Sequence, residues 1–142
     1  MQLTAENTSD WLGRTAEREI PVTADLIDRF VLLSGDNSAI HVDDAAARAR
    51  GFRGRVAHGM LLGSLVSAVI GTELPGHIGV LQEAALSFRN PCYAGDCLHI
   101  SVRVAEVFES VQTLVLKVSI KNQNGETIAT GKIQAGVRAD NG

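Results

Sequence analysis

The sequence predicts an α+β domain in which an antiparallel sheet wraps around one long buried helix. Three observations carry that expectation. Residues 60–71 include no charged side chain, so a helix there has no face suited to water. Four runs with the alternation of strands follow it, at 79–89, 97–109, 111–121 and 126–137. Only shorter helical segments and one weak strand precede it. A sheet folded around a single helix is the compact solution to that order.

Residues 1–12 show no periodicity and read as a loose lead-in, and 14–20 alternate weakly enough to allow a first strand. A helix then starts with Thr23 as N-cap and Asp25 in its first turn. Leu26, Ile27, Phe30, Val31 and Leu33 share one face of it, and Gly35 ends it. Residues 36–42 read as a loop. Asp43 or Asp44 caps a short alanine-rich segment at 45–50, stopped by Gly51.

The stretch 58–71 is the most informative. Leu61, Leu62, Leu65, Val66, Val69 and Ile70 cover more than half of its circumference, so it is expected to be buried nearly all round. Gly59, Gly63 and Ser67 form a line of small residues that lets a backbone or a ligand come close. Leu98, Ile100, Val102 and Val104 alternate cleanly, as do Leu114, Leu116, Val118 and Ile120. Residues 122–125 make the hairpin loop between the last two strands. The resulting shape is the hot-dog fold, as one domain over residues 1–142.

Composition narrows the function. Thirteen basic against sixteen acidic residues leave a net charge of −3, which argues against a general nucleic-acid binder. The longest apolar run is too short to span a bilayer. The polar, acidic N-terminus has no signal-peptide pattern, and Cys92 and Cys97 are too few for a disulfide scaffold. Together these features point to a cytoplasmic chain with reduced thiols.

Asp36 and His41 bracket a loop that directly follows an apolar helix. A carboxylate and an imidazole there can share a water for general acid–base work, or serve as a turn cap and a surface histidine. Ser67 lies inside a helix with no Gly-x-Ser-x-Gly elbow, against a nucleophilic triad. The His41–Asp44 stretch lacks the spacing of a zinc or calcium motif, so no metal is expected. His77 and His99 read as structural. No phosphate-binding loop, dinucleotide fingerprint or Cys-x-x-Cys pair occurs.

Residues 30–41, Phe-Val-Leu-Leu-Ser-Gly-Asp-Asn-Ser-Ala-Ile-His, followed by Ala57-His58-Gly59-Met60-Leu61-Leu62, resemble the MaoC-like family of (R)-specific enoyl-CoA hydratases and acyl dehydratases. Residues 86–96 resemble the family's segment between its first two long strands, and the likeness covers roughly 14–137. The resemblance implies that Asp36 and His41 are the catalytic pair and that the Gly59 N–H donates to the thioester carbonyl. It places Ser67 as a supporting serine near the catalytic loop. Ser38 stands where the family usually has asparagine, and Ala39 where it has proline. The serine hydroxyl can partly replace the lost amide donor.

The activity implied is that of a lyase, hydrating 2-enoyl thioesters or dehydrating (R)-3-hydroxyacyl thioesters by syn addition or loss of water, with no cofactor. The acyl group would arrive on coenzyme A or on an acyl carrier protein. A thioesterase is the enzymatic alternative, but residues 60–71 offer no carboxylate for it. A non-catalytic acyl-thioester-binding subunit is the other. One sheet around one helix also leaves an unpaired strand edge, so a homodimer or higher homo-oligomer is expected.

Overall fold

The computed structural model describes residues 2–138. In chain order the elements are α1 (Thr8–Trp11), β1 (Thr15–Pro21), α2 (Ala24–Ser34), α3 (Ala39–Val42), α4 (Asp44–Ala49), α5 (Gly59–Thr72), β2 (Gly79–Phe88), β3 (Cys97–Phe108), β4 (Thr113–Lys121) and β5 (Thr127–Val137). The strands form one antiparallel sheet in the order β1-β3-β4-β5-β2. This is the expected hot-dog arrangement. Among the described residues no helix is long and apolar enough to cross a membrane.

Strand alternation decides which side of the sheet faces α5. Leu98, Ile100, Val102 and Val104 of β3 are fully buried, and Leu114, Leu116 and Ile120 of β4 join them. Against them α5 sets Leu61, Leu62, Val66, Val69 and Ile70. Several local signals act as expected. Thr23 Oγ accepts from the Leu26 N–H at 3.0 Å, and Gly35 ends α2 at φ 78°. Asp43 caps α4 by accepting from the Ala45 N–H at 2.8 Å. Asn122 Oδ1 accepts from the Asn124 and Glu126 N–H groups, closing the β4–β5 hairpin.

Four expectations need correction. The lead-in is not loose: Leu3 and Trp11 are each 3% exposed, and the Leu3 backbone exchanges two hydrogen bonds with the Gln112 amide. Residues 36–42 are not all loop, because 39–42 form one helical turn. Leu33 does not join the apolar face of α2; it is exposed, like Leu32. Nor is α5 buried all round, since Met60, Ser64 and Ser67 are exposed. One curved sheet covers only one side of a helix, and hydropathy alone does not say which side is left open.

The small-residue line of α5 has a definite neighbour. A Cβ on Gly59 would sit 3.0 Å from the Phe88 ring, and one on Gly63 would sit 3.3 Å from Leu86 Cδ1. The absent side chains therefore let β2 close over the start of the helix.

Trp11 tests the corrected N-terminus. Trp11→Ala is expected to destabilise the fold by about 3 kcal/mol or more, the usual cost of emptying a buried tryptophan site. Chemical denaturation checks this, and an unchanged midpoint would return the segment to a loose lead-in.

Candidate active site

The site begins where α2 stops. Gly35 turns the chain through a left-handed conformation, and residues 36–38 lead to the short α3. Asp36 Oδ1 accepts from the Ser38 hydroxyl at 2.6 Å and from the Ser38 N–H at 3.1 Å. These two bonds favour the carboxylate form. The Ser38 hydroxyl first, and then its N–H, hold the Asp36 carboxyl below the usual carboxylate range. Desolvation opposes these bonds, and the imidazoles of His41 and His58 add lesser lowering effects.

His41 lies on α3 and is buried, with Nδ1 2.6 Å from the Val56 carbonyl oxygen. A carbonyl can only accept, so Nδ1 carries the hydrogen and Nε2 keeps its lone pair. That Nε2 lies 4.0 Å from Asp36 Oδ2. Two acceptors at this separation leave room for one water donating a hydrogen to each at about 2.8 Å. The oxygen lone pairs of such a water then point away from both groups.

Behind this pair sits His58, the N-cap residue of α5, only 3% exposed. Its Nε2–H donates to the Asp36 backbone carbonyl at 2.9 Å. Its ring stacks on His41 with centroids 3.7 Å apart and planes 19° from parallel, and Phe30 packs against it at 4.8 Å. His58 thus fixes the backbone of one member of the pair and the ring of the other. Sequence reasoning used His58 only as part of a motif and gave it no role. The signal available was a histidine opening an otherwise uncharged helix.

Gly59 is the first residue of α5, where the backbone N–H has no acceptor within the helix. The partial positive charge of the helix N-terminus is concentrated there. Gly59 and His41 line one cavity of about 390 Å³, together with Phe52, Val56, Phe88 and Pro91. Cys92 shares this wall, but burial, reinforced by the Asp96 charge, pushes its thiol up to about 12. It stays a thiol and is not poised as a nucleophile.

The structure therefore brings Asp36, Ser38 and His41 together, and Gly59 meets His41 in the wall of one cavity. Ser67 is not among them: it is exposed and lines a separate apolar cavity of about 320 Å³ with Phe30, Met60, Ser64 and Leu81. Phe30 lines that cavity and also packs on His58. Asp36, His41 and His58 bring ligand atoms within 4.8 Å of one another. A metal needs in-plane imidazole lone pairs meeting at about 2 Å, and near-parallel stacked rings keep theirs in separate planes. His77 lies outside this group, and His99 sits across from Glu17 and Glu19 on the outer face of the sheet.

Residues 12–126 match the family model described as a MaoC like domain. An (R)-specific enoyl-CoA hydratase of Aeromonas caviae is 35% identical over 103 residues, covering 72% of this chain and 77% of that protein. A 3-hydroxybutyryl-CoA dehydratase of Methylorubrum extorquens is 40% identical over 78 residues, covering 55% and 50% of the two chains. Among solved structures, the A. caviae (R)-hydratase superposes with a TM-score of 0.85 at 31% identity, covering 89% of this chain and 96% of that one. An R-hydratase of Pseudomonas aeruginosa gives 0.84 at 30% identity, covering 91% and 83%. With the helix-wrapping sheet and the Asp36–His41 pair at the mouth of α5, these matches show that the chain belongs to the MaoC-like domain family.

Proposed function

We propose that the chain is an (R)-specific lyase that hydrates 2-enoyl thioesters and, in reverse, dehydrates (R)-3-hydroxyacyl thioesters. The observation that carries this is the pair of acceptors, the Asp36 carboxylate and the His41 Nε2 lone pair, facing each other 4.0 Å apart. The unpaired N–H of Gly59 supports it from the same cavity as His41. Family relatives named as hydratases and dehydratases perform the same class of reaction.

The geometry suits the chemistry. The thioester oxygen accepts from the Gly59 N–H, at the helix end whose field favours negative charge. The shared water attacks the β-carbon as one of the pair takes its proton, forming the C–O bond and breaking O–H. The π electrons move toward the thioester oxygen, giving an enolate-like state that Gly59 stabilises. The proton then passes to the α-carbon. One pair on one side of the substrate delivers both parts of the water to the same face, which is syn addition. Removing a single donor of the Gly59 kind costs about 3–4 kcal/mol in comparable enzymes.

Coenzyme A or an acyl carrier protein would present the acyl group. The two free thiols, Cys92 and Cys97, fit a cytoplasmic setting. We assign Ser67 a supporting place on the wall of its own mostly apolar cavity, suited to an acyl chain, rather than a role beside the water.

A homodimer is the assembly we propose, and the sheet order shows which edges are open to it. β3 and β4, with the longest β-branched runs, lie inside the sheet, so their charged residues Arg103, Glu106 and Lys117 guard no edge. The free edges are β1 and β2. β1 carries Glu17, Arg18 and Glu19 and ends at Pro21, whereas β2 carries one charge, Glu83, with Val80, Leu81 and Phe88 exposed. Charge and proline protect an edge, and their scarcity along β2 favours pairing with a second copy there.

Three outcomes are expected. Asp36→Asn and His41→Ala should each lower crotonyl-CoA hydration by about 10²–10⁴-fold with little change in melting temperature. Loss of enoyl absorbance without thiol release identifies hydration, and thiol release would identify a thioesterase instead.

The Ser38→Ala variant should raise the Asp36 carboxyl toward its ordinary value, because the largest influence holding it down is the Ser38 hydroxyl. In the wild type the carboxylate–Ser38 contact is present above the carboxyl's unfolded-state range and is lost as pH falls through its lowered folded value. A ¹³C titration of Asp36 that does not move in the variant would remove the hydroxyl from this role.

Light scattering should report the mass of two or more chains, and Leu81→Lys should shift it toward one. A wild type that is fully active at the mass of one chain would overturn the dimer.

A further inference from the structure

We infer that a second cavity, beside the one holding His41 and Gly59, receives a phosphate of the acyl carrier, with Arg48 and Arg53 as its donors. This rests on the thioester reading above and extends it to the carrier.

The second cavity, of about 400 Å³, is lined by Asp44, Arg48, Arg53, Arg55, Tyr93 and Asp96, with small residues between them. It lies on the same two chain segments as the first. Residues 56–57 and 91–92 border the inner cavity, while 53–55 and 93–96 border the outer one. The two segments are held together by the Val56–Tyr93 bridge and by the Ala57 N–H donating to the Cys92 carbonyl at 2.8 Å. Arg55 joins the two cavities directly, since its Nε donates to the His41 carbonyl at 2.7 Å. A thioester at Gly59 whose carrier arm follows this ribbon outward arrives at the arginines.

The charges there are not equally engaged. Arg55 is paired with Asp28. Asp44 accepts from the Arg55 N–H, and Asp96 accepts from the Tyr93 N–H and the Gln123 amide. By contrast, Arg48 and Arg53 make no ion pair among the described residues, although the chain as a whole is acidic. Arg53 is also held in place, its guanidinium carbon 4.5 Å from the centroid of the Tyr93 ring. Arg48 Nε donates to the Arg53 carbonyl at 3.3 Å, which brings the second guanidinium to the same wall. A stacked guanidinium keeps its in-plane N–H fork free, and that fork matches the oxygens of a phosphate. Arg89, also without an ion pair, lies on the inner cavity along the same path.

The test is the double variant Arg48→Gln/Arg53→Gln, which keeps much of the side-chain length against Tyr93. Calorimetric binding of coenzyme A itself should weaken by roughly tenfold or more, the scale of losing hydrogen bonds from charged donors. Unchanged binding would overturn the proposal. Because this arm involves no turnover, it stands even if the hydratase reading fails, and that reading is judged separately by wild-type hydration of crotonyl-CoA.

In a kinetic arm, KM for crotonyl-CoA should rise by a similar factor while KM for the phosphate-free crotonyl N-acetylcysteamine thioester stays as in the wild type. An equal rise for both substrates would show a general distortion and overturn the proposal. A third arm uses crotonyl-acyl carrier protein. A loss shared with coenzyme A assigns the phosphate on the pantetheine arm, and a loss with coenzyme A alone assigns its nucleotide phosphates.

Discussion

The packing of α5 into the concave face of the sheet is the constraint from which the rest of the structure follows. Leu61, Leu62, Val66, Val69 and Ile70 can leave water only by meeting the inward residues of β3, β4 and β5. That contact sets the direction of the helix and therefore where its N-terminus lies. Gly59 and Gly63 let Phe88 and Leu86 of β2 close on the same end. The N-terminus, which would otherwise be an open pole of partial charge, becomes one wall of a cavity.

The Asp36–His41 pair is assembled near that end by backbone carbonyls as much as by side chains. Val56 offers its carbonyl to His41, and Asp36 offers its own to His58. Each bond selects one tautomer, because a carbonyl can only accept. The His41 ring is then left with a lone pair directed toward the Asp36 carboxylate. Arg55 braces the same region from the other side, bonding the His41 carbonyl while paired with Asp28 of α2. A site held in this way needs little reorganisation when charge develops on the substrate.

Ser38 shows how a departure from the family pattern is absorbed. Asparagine would present an amide where this chain has a hydroxyl, and the hydroxyl donates to Asp36 Oδ1 at 2.6 Å. Ser38 also stands as the N-cap residue of α3, so its N–H is free to donate to the same oxygen. The carboxylate is oriented by one residue acting twice. Ala39 then begins the helical turn that carries His41, so the turn forms without a proline.

What the sequence determined by itself is local and periodic. Alternation marked the inward faces of β3 and β4, Thr23, Gly35 and Asp43 marked helix ends, and a charge-free stretch marked the buried helix, because each signal is set within a few neighbouring residues. The spacing of Asp36 and His41 offered an acid–base pair beside a plain structural reading, and the likeness to the MaoC-like family, not spacing, singled out Gly59 as a donor. Tertiary structure decided the rest. It put β2, last in the sheet order, at an exposed edge, although nothing in its sequence separates an edge strand from a covered one. It anchored Leu3 and Trp11, whose partners lie far along the chain. It stacked His58 on His41 across sixteen intervening residues, and it moved Ser67 to a different cavity from the pair. Periodicity reports which residues avoid water; which of them meet depends on how the sheet curves around the helix, and that is settled only when both are packed.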